Sequence, residues 1–248
     1  MWDKVYSKRL SGLLWYPSEG VVRFTARYLK RRVGIETYHI KKEVRRILDL
    51  GCGNGRHVIF FTELGFDVYG VDISKEAIEI AKAWLSKKGL KANLTVADIE
   101  KLPFQNKFFD VVISYGVLDH ILFTKSKKVM DEISRVLIPK GYVYITLRST
   151  EDSEFARGKK IAHNTFLLQE GYEKGIIQHY FDLEEINELF SEGFKIFDIE
   201  VYEEKYSKIY SLDKPFLQSS KGIKKYITPL NAKLDFKSSR WYIAAEKR

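Results

Sequence analysis

The chain has 248 residues, 45 % of them hydrophobic, enough to bury one sizeable core. It contains no run of about 18 apolar residues and no early apolar leader, so neither a helical membrane span nor secretion is expected. The net charge of +9 is uneven: residues 1–46 hold 12 Lys/Arg against 4 Asp/Glu, residues 47–204 hold 19 against 26, and residues 205–240 hold 9 against 2. A basic beginning and end around an acidic centre would suit nucleic acid or another anionic partner. A heat-adapted, thermophilic surface with only four Gln and six Asn accounts for the same composition, and that is the reading adopted. The single cysteine, Cys52, allows no internal disulfide and fits a reducing, cytoplasmic setting.

Aromatic and basic residues fill 1–46, where Pro17-Ser18-Glu19 starts a helix continued by the apolar spacing of Val21 to Leu29. Strand one is expected at 46–50, a helix at 56–65, strand two at 67–72, and a helix capped by Ser74 after it. Strand three falls at 93–97, ending at Asp98. Strand four, Phe109 to Ser114, is an almost continuous apolar run of the kind a strand covered on both faces needs. An amphipathic helix follows Lys125 and stops near Leu137 before Pro139 and Gly141; strand five is 142–147. Residues 149–181 show no clean period, which marks a functional lid or a segment with structure of its own. Asp182 caps a helix over 183–191, strand six is 194–204, a basic insertion covers 207–238, and Trp241 to Ala245 closes the chain as a strand.

One stretch carries the chemistry. Strand one ends in Asp49 and runs into Gly51, Gly53 and Gly55 ahead of a helix, and strand two ends in Asp72, 21 residues after Gly51. Glycines permit positive φ and close approach of backbone to a ligand, while an acid at that distance suits ribose hydroxyls in a βαβ nucleotide unit. The spacing is G-x-G-x-G, not the dinucleotide G-x-G-x-x-G, and Asp49 just upstream would repel a pyrophosphate but tolerate an ammonium or sulfonium.

This arrangement resembles motif I of the class I S-adenosylmethionine-dependent methyltransferases. The resemblance covers about 44–148 with specific motifs and 180–248 with weaker ones. It implies an α/β doubly wound sheet of seven strands in the order 3-2-1-4-5-7-6, with helical cap segments. On that reading the chain is one domain: an N-terminal cap at 1–43, a cofactor-binding half at 44–148, a substrate cap at 149–181, and a C-terminal half at 182–248. Asp49, Gly51, Gly53 and Gly55 would line the amino-acid end of S-adenosyl-L-methionine. Asp72 would take the ribose hydroxyls, with Ile73 against the adenine. Asp98 and the Ile99 amide would read the adenine edge, and the backbone at Tyr115 would meet the methionine portion.

His120 would stand where the methyl emerges and is the candidate general base, oriented by Asp119. Tyr16 or Tyr6 would cover the sulfonium by cation–π attraction, and Arg23 would pair with the cofactor carboxylate. His57 is expected to face solvent or the lid, and His163 and His179 are candidate acceptor contacts. No His/Cys/carboxylate cluster has metal-ligand spacing, so no metal is expected. The expected function is methyl transfer to a small molecule by in-line displacement, with positioning as the main catalytic device. Two alternatives stand beside it: an RNA methyltransferase gripping through Lys221, Lys224 and Lys225, and a cofactor-binding protein without turnover. The acceptor atom and the oligomeric state are not specified by the sequence.

Overall fold

The computed structural model describes residues 2–8, 15–171, 173–206 and 236–248. Helix α1 (Trp2–Lys8) is followed by α2 (Glu19–Phe24), which Ser18 caps by accepting from the Val21 amide at 3.3 Å, and which winds on as a π-helical turn over Thr25–Leu29. A short antiparallel hairpin, β1 (Lys30–Arg32) and β2 (Tyr38–Ile40), leads into β3 (Arg46–Leu50). Then come α3 (Arg56–Glu63), β4 (Asp67–Asp72), α4 (Lys75–Lys87), β5 (Asn93–Val96), β6 (Phe109–Tyr115), α5 (Phe123–Val136) and β7 (Leu137–Arg148). Three short strands follow, β8 (Lys159–Ala162), β9 (Thr165–Leu167) and β10 (Ile177–His179). The chain ends with α6 (Leu183–Ser191), β11 (Phe194–Tyr206) and β12 (Phe236–Lys247).

The main sheet runs β11-β12-β7-β6-β3-β4-β5, the order 3-2-1-4-5-7-6 expected of the class I fold. β3, β4, β5, β6 and β7 are parallel, and β12 enters antiparallel between β7 and β11. Parallel strands in this arrangement are covered on both faces, so neighbouring side chains feed opposite layers. In β3, Ile47 packs with Val58, Phe61 and Ile78 of α3 and α4, whereas Leu48 packs with Ile133, Ile186 and Leu189 of α5 and α6. Val111 and Ile113 likewise join the first layer, and Val112 the second. Ser74 caps α4 as expected, accepting from Ala77 at 3.2 Å, and Asp182 forms a reciprocal capping box with Glu185 at the start of α6.

Two regions differ from the expectation. Residues 149–181 carry structure of their own, but not the helical cap expected: β8, β9 and β10 form a separate antiparallel sheet in the order β10-β9-β8. β7 begins at Leu137, five residues early, because Leu137 already pairs with Phe109 before the register shifts and Tyr142 meets Val111. The basic insertion expected at 207–238, including Lys221, Lys224 and Lys225, lies outside the described residues up to 235. Among the described residues no helix is long and apolar enough to cross a membrane.

Candidate functional site

The candidate residues gather at the carboxyl ends of β3, β4, β5 and β6, where strand order reverses beside β3, the place at which open α/β sheets bind ligands. Gly51, Gly53 and Gly55 take φ of +70°, +53° and +84°, left-handed conformations in which a Cβ is strained. Space is short as well. A Cβ on Gly51 would stand 2.5 Å from the Val117 side chain, and one on Gly53 would stand 2.5 Å from the Tyr6 hydroxyl. Cys52 anchors the turn from below through its amide to the Val71 carbonyl at 2.9 Å. Its buried thiol is pushed well above the usual range by burial, which suits packing and not nucleophilic attack.

Asp49 sits beneath this turn and is 1 % exposed, and its Oδ2 has no hydrogen-bond partner. Burial pushes its pKa up to about 7, against the pull of the Arg56 guanidinium. A buried acceptor without a donor is costly, and a ligand ammonium would satisfy it. Asp72, at the tip of β4, clamps the turn to α4: Oδ2 accepts from the Gly53 amide and Oδ1 from the Ser74 amide, both at 2.9 Å. Each oxygen keeps a further lone pair for a hydroxyl. Burial raises its pKa against those two backbone bonds.

Asp72 pairs in register with Val96, and the Ala97 amide donates to the Asp72 carbonyl at 3.0 Å. Asp98 therefore stands just past the neighbouring strand tip. It is exposed, with Oδ1 accepting from the Glu100 amide at 2.9 Å. Ile73 exposes 58 % of its surface beside them, while Ile99 packs partly buried on the core. Two carboxylates and an exposed aliphatic side chain thus share the β4–β5 corner.

At the tip of β6 the Tyr115 ring has two guanidinium groups near it, Arg56 5.0 Å and Arg240 5.8 Å from its centroid. Gly116 follows at φ +65°. His120 lies five residues beyond Tyr115, at the end of a short 3₁₀ turn, Leu118–His120. Its Nδ1 meets the Ile177 carbonyl of β10 at 3.2 Å, and the Trp2 ring packs edge-on at 5.0 Å. Burial lowers its pKa, opposed by Asp119 and Glu173, so the imidazole is neutral at neutral pH.

The expected orienting group, Asp119, serves elsewhere. Its Oδ1 accepts from the Arg148 amide at 2.7 Å and its Oδ2 from Arg240 Nη1 at 2.6 Å. Burial alone would raise its pKa; Arg240, with smaller help from His120 and the Arg148 amide, holds it below the ordinary value.

The N-terminal segment corrects two further expectations. Tyr16 is 85 % exposed, and it is Tyr6, half-buried, whose hydroxyl lies at Gly53 and is pushed far up in pKa by desolvation and by Asp72. Arg23 faces the far edge of the sheet, donating to Glu200 at 3.1 Å and stacking over Tyr202 and Tyr242. The arginine at the glycine turn is Arg56, which the sequence reading passed over although it directly follows Gly55. Asp3 fixes α1 in place by accepting from Ser74 Oγ at 2.6 Å and the Glu76 amide at 3.1 Å.

His57 is 3 % exposed and accepts from the Ser18 amide at 3.2 Å, tying α2 to α3 rather than facing solvent. His179 is fully buried, its Nδ1 2.7 Å from Thr165 Oγ1, and His163 is exposed 3.8 Å from Asp182. Neither touches the strand-tip residues described above. Among the described residues no three His, Cys, Asp or Glu side chains gather into a metal-binding group.

With this geometry in place, comparison with known proteins defines the class. Residues 48–145 match the sequence model of a methyltransferase domain. A SAM-dependent methyltransferase of Methanosarcina mazei superposes with a TM-score of 0.65, covering 83 % of this chain and 93 % of that one at 23 % identity. Residues 48–145 therefore match a methyltransferase domain, set in a sheet with the class I strand order that the Methanosarcina mazei structure shares.

Three curated relatives share it. They are human EEF1A lysine methyltransferase 2, 30 % identical over 58 % of this chain and 65 % of its own length, and two others. One is a tRNA (carboxymethyluridine(34)-5-O)-methyltransferase of Arabidopsis thaliana, 38 % identical over 44 % of this chain and 25 % of its own length. The other is a ubiquinone biosynthesis O-methyltransferase of Pelagibacter ubique, 33 % identical over 50 % and 52 %. This chain thus spans less than two thirds of each relative, and their named acceptors are a protein, an RNA and a small molecule.

Proposed function

We propose that this protein binds S-adenosyl-L-methionine and transfers its methyl group to a small-molecule acceptor. Bound there, the cofactor supplies an activated methyl on a sulfonium. The residues present fit it. Asp49 offers an unpartnered buried oxygen to the ammonium, the glycine turn admits the amino-acid end, and Arg56 stands beside the turn for the carboxylate. Asp72 receives the ribose hydroxyls, Ile73 packs on the adenine, and Asp98 with the Ile99 amide reads the adenine edge. Tyr115 and the backbone around it border the methionine portion. The observation that carries this reading is the orphaned Asp49 oxygen beneath three left-handed glycines, one strand away from Asp72.

The chain's own part in the reaction is positional. α1 and the inserted sheet flank His120, which holds the acceptor against the methyl and accepts its proton at Nε2 as it attacks. The enclosure by Trp2 on one side and β10 on the other supports a small acceptor over a duplex or a folded protein. We read the chain as one domain, and place it in the cytoplasm on the strength of its lone, buried Cys52. Titration calorimetry with S-adenosylmethionine and S-adenosylhomocysteine tests the first step: binding of both supports the reading, and binding of neither removes it. Radiolabelled methyl transfer into fractionated extract, with and without ribonuclease, tests the acceptor. Label in ribonuclease-resistant small molecules is the expected outcome, and label lost with ribonuclease would move the acceptor to RNA.

A further inference from the structure

Arg240 has no part in the roles assigned above, yet it lies beside them. It projects from β12, where it pairs in register with Arg148 of β7, and reaches under the turn that follows β6. One nitrogen, Nη1, is spent on Asp119 at 2.6 Å. Asp119 is 1 % exposed and its other oxygen is taken by the Arg148 amide, so this carboxylate has little left to give. The other Arg240 nitrogens have no acceptor among the described residues, and the side chain keeps 19 % of its surface exposed. A guanidinium has donors alone, arranged in a planar fork that fits a carboxylate or phosphate.

The surroundings point the same way. Gly116 borders the ion pair: a Cβ there would stand 3.7 Å from Nη1 and 3.9 Å from Asp119 Oδ2, in ordinary contact. Arg56 is a second guanidinium near the same ring, 5.0 Å from the Tyr115 centroid against 5.8 Å for Arg240. Arg148, the third arginine here, is already held by Glu154 at 3.1 Å and Asp152 at 3.8 Å.

We propose that Arg240 is a specificity-determining residue, whose free edge binds a carboxylate or phosphate on the methyl acceptor beside Tyr115. This rests on the methyltransferase reading and narrows its substrate class to anionic small molecules. The same guanidinium, fixed by Asp119, sets the acceptor's orientation toward His120.

The test uses the full-length protein and three probes of one shape: benzoate, phenyl phosphate and neutral benzamide. Each is titrated by NMR at low salt, with and without S-adenosylhomocysteine. Because Arg240→Gln alone leaves Asp119 buried and unpaired, the paired variant Asp119→Asn/Arg240→Gln is measured beside it, with thermal unfolding as the check on folding. At least one anion is expected to bind ten-fold or more tightly than benzamide, and to lose ten-fold or more in the paired variant. The benzoate and phenyl phosphate arms say which anion is read. Anions no tighter than benzamide, or unchanged in the paired variant, overturn the proposal. Failure of S-adenosylhomocysteine to bind would instead strike the methyl-transfer reading, and the anion titrations without it keep the two failures apart.

Discussion

The Nδ1 of His120 and the main-chain carbonyl of Ile177 meet at 3.2 Å across 57 residues of chain, joining the turn after β6 to the inserted sheet. A carbonyl only accepts, so Nδ1 carries the hydrogen of the neutral ring and Nε2 presents a lone pair. The inserted sheet thereby fixes the tautomer that a general base requires. His120→Gln is expected to lower turnover by roughly 10²- to 10⁴-fold while leaving S-adenosylhomocysteine affinity almost unchanged. Since burial lowers the His120 pKa and the base works deprotonated, kcat/KM for the acceptor at saturating cofactor should be level above pH 6.5 and fall only on the more acid side. A rate that still climbs through pH 8 would assign the proton transfer to another group.

The two carboxylates of the β4–β5 corner should separate in their effects. Asp72 binds two protein amides as well as its proposed ligand, whereas Asp98 is exposed and holds one. Asp72→Asn and Asp98→Asn should both weaken cofactor binding, the former by roughly 10- to 150-fold from the ~1.5–3 kcal/mol of a charged hydrogen bond. Asp72→Asn should also lower the melting temperature, because one of the Gly53 and Ser74 amides loses a charged acceptor in a buried setting. Asp98→Asn should leave it nearly unaltered. Calorimetry paired with thermal unfolding reads both, and equal melting temperatures for the two variants would mean that the clamp carries little.

The parts legible in the sequence are those with local causes. β3, β4 and β6 announce themselves because burial on both faces demands long apolar runs, and the turn at Gly51 because three φ values above zero demand glycine. Ser74 and Asp182 cap helices through bonds spanning three residues. What stayed hidden depends on distance or brevity. β9 and β10 are three residues each and β8 is exposed along its whole length, too little for a period of two to register. Arg240 meets Asp119 across 121 residues, a contact created only by the register of β12 on β7. Tyr6 and Tyr16 read alike as aromatics ahead of the sheet, and only the docking of α1 through Asp3 onto Ser74 selects Tyr6.

That docking is itself testable. Gly53→Ala places a methyl 2.5 Å from the Tyr6 hydroxyl and forces a side chain to hold φ +53°. The strain should destabilise the protein by about 1–3 kcal/mol and displace Tyr6 from the turn. Tyr6→Ala in the same background removes the collision but not the backbone strain, so it should restore part of the lost stability and no more. Urea unfolding of the two single variants and the double gives the coupling, and strict additivity would show that Tyr6 does not rest on Gly53.

Asp49 gives the sharpest dependence on pH. Its folded pKa of about 7 lies above the ordinary 3.8, so between those values the native state keeps a proton that the unfolded chain has released. Stability contributed at this site therefore falls as pH rises from about 4 to about 7 and is level beyond. Asp49→Asn carries no such proton, and its stability relative to the unsubstituted protein should grow across that window by up to roughly 4 kcal/mol, at ~1.4 kcal/mol per pH unit. Binding should run in the opposite sense. The ammonium of S-adenosylhomocysteine prefers the ionised carboxylate, so affinity should rise by up to about ten-fold per unit toward pH 7 and then flatten. In Asp49→Asn the affinity should be lower and nearly independent of pH. Unfolding and calorimetry at pH 5, 6, 7 and 8 check both halves, and a pH-independent affinity in the unsubstituted protein would remove Asp49 from the amino-acid end of the site.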